Sequence, residues 1–594
     1  LLRLEDESIS VYCFNLDFDL AKLVAENNRL YQREGRELFR IDYGKSLIIS
    51  NRFHTAKIKD THITFRDLYP LVNTSLDRAC KDFELSTKKL ELTVKDKERY
   101  FKTVSPHSPE LQEYLKHDVL ATFELYQKLL TLSGLDEEQF QKSPTLASLA
   151  MRIFRHTSPK SYEKIKQSML RKKEEEFVRS AYSGGRVEIF RNELNGKGYH
   201  YDINSLYPHV MEVNKFPVGE GRLLPDDLPA EKKMEIFKQL RSTRCYPLNY
   251  ILHAKVRVPK QHVAPLPYRR NGLIFPTGTF TGHFCSPEVE FALEHCGLEV
   301  LEVYNLMLFF KEDYLFTEFI SKMKEIKLTA QGAKRTFAKL IQNSLYGKFG
   351  MGRMREQYEL HTPEREEKLR ARKVELSVTN SFNGSRLISY FKLAFADYIR
   401  PQYAAFITSY ARVELLRKML DVPPEHLYYC DTDSIVSAVP FKPEEIDAKA
   451  YGKWKLEREV SRAIFILPKL YAEIDLRTSE DICKSKGIVK DYQEKVTFMD
   501  YIDYYKSMVD GRDHILYGYT LPADSLHAPA YHQRRKLMSA IKAAKDVDEK
   551  IILQKKLLFS QIRHKRVMNF SENTSEPIDL AENSDIIIGK EAGK

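Results

Sequence analysis

Two aspartates separated by one residue, Asp431 and Asp433, have the spacing best suited to chemistry in this chain. They lie within residues 428–436, between two apolar segments that predict the strands of a hairpin. Carboxylates held side by side repel each other unless a cation lies between them, so the arrangement indicates a divalent metal site. Asp-Thr-Asp-Ser is also common in turns, and this segment alone leaves both interpretations open.

A third aspartate, Asp202, ends an alternating apolar segment and precedes Asn204-Ser205-Leu206-Tyr207-Pro208. The alternation predicts a strand that ends at Asp202. Ser205 is placed to cap a helix whose first turn tolerates Pro208. A strand-end carboxylate beside the free N–H groups of a helix suits a metal bridged to phosphate oxygens, and a plain strand-to-helix turn is the alternative.

Residues 327–350 predict a helix with one apolar face and one basic face. At about 100° per residue, one narrow arc of this helix holds Arg335, Lys339, Asn343 and Tyr346. Gly347 and Gly350 are expected to end it. Such a face suits a nucleoside triphosphate, because the cations could bind the phosphates and the tyrosine ring could lie beside the base. The alternative is a basic helix face exposed to solvent.

Three further segments could contact nucleic acid. Tyr182-Ser183-Gly184-Gly185-Arg186 combines glycines, which let a backbone approach a ligand closely, with a ring and a cation. Lys469 and Tyr471 are two residues apart, so on a strand both would point toward a primer backbone. The cations of residues 563–566 would contact a phosphate backbone or be solvated. A glycine turn and a surface strand are the alternatives for the first two.

Acidic residues also recur near the start of the chain. Asn15, Asp17 and Asp19 follow an apolar segment and precede a helical pattern, which would place acidic groups at a sheet edge. Tyr114 and Asp118 are four residues apart and share one face of a predicted helix. A surface helix with a half-buried tyrosine is the alternative.

Composition excludes several classes of protein. The 594 residues are 43% hydrophobic, which allows large cores and predicts several domains, and the net charge of +11 favours polyanionic partners, although many basic proteins bind no nucleic acid. The seven cysteines are scattered and indicate neither disulfides nor zinc, so we expect an intracellular site, a host cytoplasm or organelle matrix, rather than secretion. No apolar run approaches the roughly 18 residues of a membrane helix, so no membrane partner is expected.

Three of these segments together resemble the polymerase motifs of family B DNA polymerases, in the family's order: residues 202–208, 339–347 and 429–434. The segments Tyr182-Ser183-Gly184-Gly185 and Lys469-Leu470-Tyr471 are similar to the Tyr-x-Gly-Gly and Lys-x-Tyr motifs of the protein-primed subgroup, found in bacteriophages, adenoviruses and linear plasmids. Residues 226–314 and 351–400 match that subgroup's two terminal-protein regions by position alone.

The resemblance implies a role for each matching residue. Asp202 and Asp433 would be the main ligands of two Mg²⁺ ions, or of Mn²⁺, with the Ile203 carbonyl and Asp431 nearby. Tyr207 would exclude a ribose 2′-hydroxyl. The other nucleotide-binding residues would be Lys327, Arg335, Lys339, Asn343 and Tyr346. The primer and DNA contacts would be Tyr182, Gly184, Gly185, Lys469 and Tyr471.

The first part of the chain resembles the 3′-5′ exonuclease of the same family. Its second motif would be residues 15–19, with Asp19 as a metal ligand and Asn15 and Phe18 contacting single-stranded DNA. Its third would be residues 114–118, with Asp118 as a ligand, Tyr114 orienting the attacking water and Lys89 as an auxiliary lysine. The first motif, Asp-x-Glu, is absent, and Glu5-Asp6-Glu7 does not fit it. We therefore expect an N-terminally truncated or otherwise incomplete exonuclease.

The resemblance implies an α+β multidomain protein with a right-hand polymerase fold of palm, fingers and thumb, preceded by a truncated RNase H-like exonuclease domain. The predicted divisions are exonuclease 1–135, linker 136–181, palm 182–225 and 401–488, an inserted subdomain 226–314, fingers 315–350, a second insertion 351–400, and thumb and tail 489–594.

The expected function is that of a monomeric DNA-directed DNA polymerase, which adds dNTPs to a 3′-hydroxyl on template-primer DNA. The subgroup implies protein-primed replication of a viral or linear plasmid genome, with a terminal protein as the priming partner. One alternative is a primer-independent or nucleic-acid-primed family B polymerase. The other is a decayed, non-catalytic DNA-binding protein.

We expect this chain to degrade single-stranded DNA poorly, because its sequence lacks one of the acidic exonuclease motifs. The measurement is nucleotide release from a 3′-labelled single strand, with and without an upstream Asp-x-Glu strand fused to the chain. Release restored by the fusion supports the assignment, whereas rapid release by the chain itself contradicts it.

Overall fold

The computed structural model describes residues 8–49, 52–90, 104–105, 107–242, 249–269, 272–380, 386–393, 396–485, 496–510, 514–516, 519–521 and 565–580. In these residues the helices are α1 (Leu16–Glu34), α2 (Tyr69–Val72), α3 (Leu76–Asp82), α4 (Pro109–Ser133), α5 (Glu137–Gln141), α6 (Leu146–Thr157), α7 (Pro159–Gln167), α8 (Lys172–Ala181), α9 (Leu206–Val213), α10 (Ala230–Ser242), α11 (Ser286–His295), α12 (Thr317–Thr329), α13 (Gly332–Ser344), α14 (Tyr346–Phe349), α15 (Pro363–Ala371), α16 (Pro401–Asp421) and α17 (Phe498–Val509).

The strands of the same residues are β1 (Ile9–Cys13), β2 (Ile41–Ile49), β3 (Arg52–Ile58), β4 (Ile63–Asp67), β5 (Val187–Ile189), β6 (Glu193–Ile203), β7 (Phe216–Pro217), β8 (Arg222–Leu223), β9 (Asn249–Val258), β10 (Tyr268–Arg269), β11 (Leu273–Ile274), β12 (Gly278–Cys285), β13 (Glu299–Phe309), β14 (Glu312–Asp313), β15 (Met354–Leu360), β16 (Leu376–Asn380), β17 (Arg386–Leu393), β18 (Leu427–Asp431), β19 (Ser434–Ser437), β20 (Trp454–Leu467), β21 (Leu470–Asp475), β22 (Asp481–Ser485), β23 (His514–Leu516), β24 (Tyr519–Leu521), β25 (Arg566–Asn569) and β26 (Thr574–Pro577).

The chain divides into two compact units, each built from two separate stretches. The first unit comprises Leu1–Lys166 and Leu315–Arg400, and the second comprises Gln167–Tyr314 and Pro401–Lys594. The finer domain divisions drawn from the sequence stay predictions.

In the first unit, a four-stranded sheet of order β1-β4-β3-β2 packs against α1. Leu16 and Leu20 lie one helical turn apart and bury the same face of α1 against Phe53 of the sheet. The second insertion forms its own sheet, β15-β17-β16, and contributes Tyr358 and Leu387 to this core. The insertion is therefore packed against the first part of the chain through apolar side chains.

The predicted basic helix of the first unit is shorter than expected. It ends at Ser344, and a separate short helix, α14, begins at Tyr346, so Gly347 lies inside that helix and only Gly350 follows a helix end. The Ser344 hydroxyl donates to the Leu340 carbonyl at 2.8 Å, a local bond that competes with the helical pattern and is associated with bends. The expectation that one continuous helix carries Tyr346 is wrong.

The second unit contains a seven-stranded sheet of order β22-β21-β20-β6-β19-β18-β5. A core that includes Val187, Leu194, Tyr429, Val436 and Phe465 packs within it. The pattern of Ala411, Val413, Leu416 and Leu420 predicts an amphipathic helix in 401–420, but this helix, α16, is buried on nearly all sides. A helix that is surrounded by protein has no face exposed to solvent, so it does not separate into an apolar and a polar face as a surface helix does.

The inserted subdomain of the second unit is a sheet of order β12-β9-β13-β8 with α10 and α11. The sequence of this subdomain predicts a strand at 249–258 and a helix around 287–295, and the structure confirms both as β9 and α11. Throughout the described ranges, no helix combines the length and hydropathy required to cross a membrane.

Candidate active site

The predicted hairpin at the acidic pair is confirmed. Strand β18 ends at Asp431, β19 begins at Ser434, and these two residues face each other in the antiparallel pairing. Thr432, in the turn, adopts a φ of 64°, a conformation that costs energy for a β-branched residue. Its N–H donates to the Arg186 carbonyl at 2.6 Å, so the neighbouring segment helps to hold the turn in this shape.

Asp202 lies on the strand next to this turn. Strand β6 pairs with β19 so that Asp202 faces Ser434, and the Ile203 N–H donates to the Asp433 carbonyl at 2.7 Å. A helix begins at Leu206 as predicted, but Ser205 does not cap it with its side chain, because Ser205 itself has a left-handed backbone with φ 56°. Tyr207 lies half-buried in the first turn of this helix.

The electrostatics of the turn distinguish its two aspartates. Burial, together with the negative charges of Asp202 and Asp431, raises the pKa of Asp433 to about 7. Both carboxylate oxygens of Asp431 instead accept hydrogen bonds from the Lys469 ammonium group. Asp431 is thus compensated within the protein, whereas an additional cation would stabilise the ionised form of Asp433.

The structure corrects the expected position of Lys469. It lies in the turn between β20 and β21 with φ 66°, not on a strand beside Tyr471, and its backbone N–H donates to the Tyr429 hydroxyl at 3.0 Å. Tyr471 packs against the rings of Tyr429 and Phe465, with centroid distances of 5.4 and 5.7 Å. The two side chains therefore do not point the same way by strand alternation.

The two glycines beside the turn differ in their surroundings. A Cβ atom at Gly185 would lie 2.7 Å from the Thr432 side chain, whereas a Cβ at Gly184 would meet nothing within 4 Å. Gly185 thus allows the turn to approach the segment closely. The neighbouring Tyr182 is half-buried, and its carbonyl accepts a hydrogen bond from Arg269 at 3.0 Å.

Sequence reasoning missed the residue that fixes this glycine segment. Arg412, buried on α16, donates to the carbonyls of Ser183 and Gly184 at 2.6 and 2.8 Å and forms a two-pronged ion pair with buried Glu288 of α11. The signal that could have found it is an arginine placed between the apolar residues Ala411 and Val413, because a buried charge needs a partner.

The predicted nucleotide-binding cations lie in the first unit. Lys327 on α12 is buried, and burial with the nearby charges of Lys339 and Arg335 lowers its pKa to about 8. Arg335, Lys339 and Asn343 are exposed along α13, and Tyr346 is half-buried at the start of α14. Clustered positive charge of this kind is stabilised by an anion.

The N-terminal end of α13 is fixed by an acidic side chain that sequence reasoning missed. The Glu84 carboxylate accepts a hydrogen bond from the Ala333 N–H at 3.2 Å, which suits the positive end of a helix. Gly332 has φ 53° and leaves no room for a Cβ beside Glu84, so the contact depends on glycine.

The predicted exonuclease residues meet in the first unit. Lys89 contacts Asp118 at 3.1 Å and lies 5.6 Å from the centre of the Tyr114 ring. Burial raises the pKa of Asp19, and the charges of Asp67 and Asp118 raise it further. The side chain of Phe18 is on the surface, with 60% of it exposed.

Asn15 is tied to two residues that the sequence did not single out. Its N–H donates to Asp67 at 2.9 Å, and its side-chain oxygen accepts from Arg52 at 3.0 Å, while Arg52 also contacts Asp67 at 3.2 Å. Asp67 ends β4, directly beside β1 in a parallel pair, which explains how residues 52 positions apart in sequence meet.

The donor atoms at the turn fit magnesium. In the described part of the chain, no group of three or more His, Cys, Asp or Glu side chains is arranged to hold a metal ion. Mg²⁺ is commonly bound through one or two carboxylates, with waters and substrate phosphates completing the octahedron. Asp202 and Asp433 supply two such carboxylates, and the pKa of about 7 at Asp433 reflects negative charge that a cation would offset.

Comparison with known proteins gives the family. Residues 2–111 and 91–411 match the model of DNA polymerase type B, organellar and viral. The chain belongs to this family. A probable DNA polymerase of Podospora anserina is 26% identical over 506 residues, which cover 72% of this chain and 40% of the relative. The DNA polymerase of Bacillus phage Nf is 26% identical over 434 residues, covering 68% of this chain and 69% of the phage protein.

The fold of this family B chain also matches solved structures. Phi29 DNA polymerase, in complex with primer-template DNA and incoming nucleotide, matches with a TM-score of 0.64 and 21% identity over 84% of this chain and 86% of that chain. The predicted α+β right-hand polymerase fold is confirmed. The chain spans 40% and 52% of the length of its curated relatives from Podospora anserina and Agaricus bitorquis.

Substituting alanine at the two glycines tests the geometry of the turn in this family B chain. We expect Gly185→Ala to lower the DNA synthesis proposed below by about 10- to 100-fold, because the new methyl group displaces Thr432 beside Asp433 and a small misplacement at the proposed reacting centre is costly. Gly184→Ala is the matched control and should retain near-normal synthesis. Equal rates for the two variants in a primer-extension assay would contradict the close approach at Gly185.

Proposed function

We propose that this chain catalyses template-directed DNA synthesis and that Asp202 and Asp433 are its catalytic carboxylates. The observation that carries the proposal is the burial of Asp433 beside Asp202 and Asp431, with a pKa raised to about 7. Carboxyl groups with perturbed pKa values are concentrated at functional sites. Placing like charges together in a partly buried turn does not stabilise the fold, so a purely structural turn would not need them. Family membership supports the same assignment.

Asp202, Asp433 and the Ile203 carbonyl would hold Mg²⁺ or Mn²⁺. Two ions bound there would lower the pKa of the primer 3′-hydroxyl and offset the charge of the leaving pyrophosphate. Asp431 acts through its charge, and Lys469 keeps Asp431 in place through the ion pair. Lys469 and Tyr471 also steady the primer terminus, as in the Lys-x-Tyr motif they resemble.

The cationic cluster of the first unit binds the triphosphate. Lys327, Arg335 and Lys339 lie close enough for the charges of the other two to lower the pKa of Lys327, and an anion reverses that effect. Asn343 and Tyr346 border the base, and the Tyr207 ring excludes a 2′-hydroxyl, so the substrate is a dNTP. Tyr182, Gly184 and Gly185 contact the DNA strand.

The biological setting follows from the subgroup that the sequence resembles. We propose that a monomer replicates a viral or linear plasmid genome from a terminal-protein primer, in a host cytoplasm or an organelle matrix. Relatives from a phage and a fungus support this setting. Priming from a nucleic-acid 3′-hydroxyl, or without a primer, is the alternative within the family.

The first unit carries a second proposed site, an incomplete 3′-5′ exonuclease centre whose Asp-x-Glu motif is missing from this sequence. Asp19 and Asp118 would hold its metal ion, because the raised pKa of Asp19 has Asp118 among its causes. Lys89 holds Asp118, and Tyr114 orients the attacking water. Asn15 and Phe18 contact single-stranded DNA.

We expect Asp433→Asn to reduce primer extension to background while template-primer binding changes little. The substitution preserves shape but removes the charge that holds the metal. Rates are measured by gel extension with Mg²⁺, and binding is measured by fluorescence anisotropy. Asp421→Asn, at the exposed end of α16, is the control. Substantial synthesis by Asp433→Asn would refute the site.

We expect Lys339→Ala to raise the KM for dNTP by about 10-fold or more, since a charge-assisted bond to phosphate contributes roughly 1.5–3 kcal/mol. Lys334→Ala is the matched control, because Lys334 is exposed on the same helix about 140° away from Lys339. Steady-state rates of primer extension at varied dNTP concentration give the KM of each variant. Similar KM values for the two variants would remove Lys339 from the nucleotide site.

A further inference from the structure

The hairpin formed by residues 565–580, with strands β25 and β26, is fastened to the bend between β5 and β6. Asn573 at its turn accepts hydrogen bonds from the N–H groups of Asn192 and Glu193 at 2.7 and 2.8 Å, and it donates to the Glu193 carbonyl at 2.6 Å. The Ser575 hydroxyl contacts the carbonyl oxygens of Ile189 and Phe190 at 2.8 and 3.0 Å. The bend thus depends on the hairpin for much of its hydrogen bonding.

A buried arginine makes the second attachment. Arg566 was expected to contact a phosphate backbone or solvent, but it is buried, with only 3% of the residue exposed, so that expectation is wrong. Its guanidinium group donates to Ser575 and to the His262 carbonyl, both at 2.8 Å, and lies 3.6 Å from Glu188. Arg563 and His564 of the same predicted cluster fall outside the described residues.

Glu188 connects Arg566 with the acidic turn. Arg186 donates to the other carboxylate oxygen of Glu188 at 2.6 Å, so one buried carboxylate lies between two buried arginines. Glu188 faces Cys430 in the pairing of β5 with β18, and the Arg186 carbonyl accepts the Thr432 N–H. Movement of Arg186 or Glu188 would therefore be passed directly to the turn that carries Asp431 and Asp433.

The other side of the bend leads to Asp202. Residues 189–193 join β5, which lies beside the strand that ends at Asp431, to β6, which carries Asp202. The same hairpin therefore holds the main chain that leads to both carboxylates. Arg186, Glu188 and Arg566 form a buried charge group, so removing one member would leave the others uncompensated.

We propose that the 565–580 hairpin fixes the separation between Asp202 and Asp433, with Arg566 and Asn573 as positioning residues. The inference rests on the proposed polymerase function. Neither residue touches the carboxylates; each acts through the strands that carry them. A displacement of about 1 Å at reacting groups can cost 100-fold in rate, so a small loosening of the bend is measurable.

The test compares Asn573→Ala and Arg566→Gln with Asn569→Ala in the full chain. Asn569 is exposed in the same hairpin and bonds within it, to Ser571 and Glu572, which makes it the matched control. We expect kcat for extension to fall about 10- to 100-fold in the first two variants. KM for dNTP and template-primer affinity should stay close to those of the control in both variants. Arg566→Gln should also unfold at a lower temperature, because it leaves buried Glu188 with less positive charge, so kcat is compared at a temperature at which all variants are folded.

Conservative substitutions separate positioning from folding. Asn573→Asp retains the two acceptor contacts, and Arg566→Lys retains the charge, so each should recover part of the lost kcat. If Arg566→Gln does not fold, Asn573→Ala carries the test. A normal kcat in Asn573→Ala, or a loss that only parallels loss of folded protein or DNA affinity, overturns the proposal. Absence of synthesis by the unaltered chain would instead overturn the proposed function.

Discussion

Repulsion between partly buried carboxylates is the constraint on which the acidic site of the second unit depends. Burial and the negative charges of Asp202 and Asp431 raise the pKa of Asp433 to about 7. The ionised form of this carboxyl group is therefore unfavourable unless a cation lies nearby. One neighbour, Asp431, is compensated by Lys469, so the remaining need for positive charge falls on the Asp202–Asp433 side. The surrounding structure must hold Asp202 and Asp433 close together, because the repulsion between their carboxylates would otherwise move the side chains apart.

The sheet provides that firmness through strands distant in sequence. The pairing of β6 with β19 sets Asp202 opposite Ser434, next to Asp433. A slip of one residue in this register would turn Asp202 to the opposite face of the sheet. Gly185 and Arg186, which directly precede β5, contact the turn, and buried Arg412, paired with Glu288, donates to the carbonyls of the glycine segment. Most of these contacts join buried polar groups, which favours a single arrangement over several.

The sequence predicted what depends on local pattern. Apolar periodicity found the acidic hairpin, β9 and α11, and the order of motifs led to the family. It did not predict contacts between distant residues: Lys469 pairing with Asp431, Arg566 buried beside Glu188, or Glu84 at the start of α13. The cap expected at Ser205 and the continuous helix expected through Tyr346 were wrong for a related reason. The positive φ of Ser205 and the bond from the Ser344 hydroxyl to its own helix depend on details of backbone geometry that the residue pattern does not show. Domain divisions and site roles remain predictions.

The most direct test of the central claim is Mn²⁺ binding as a function of pH, followed by electron paramagnetic resonance in the unaltered chain and in Asp433→Asn. Because the pKa of Asp433 is raised to about 7, protons compete with the metal below that pH. The apparent Kd of the unaltered chain should therefore weaken by roughly 10-fold between pH 8 and pH 6. Asp433→Asn should lose this pH-dependent binding and retain only the Mn²⁺ held by the proposed exonuclease centre of the first unit. Affinity that neither pH nor the substitution changes would contradict a cation shared by Asp202 and Asp433.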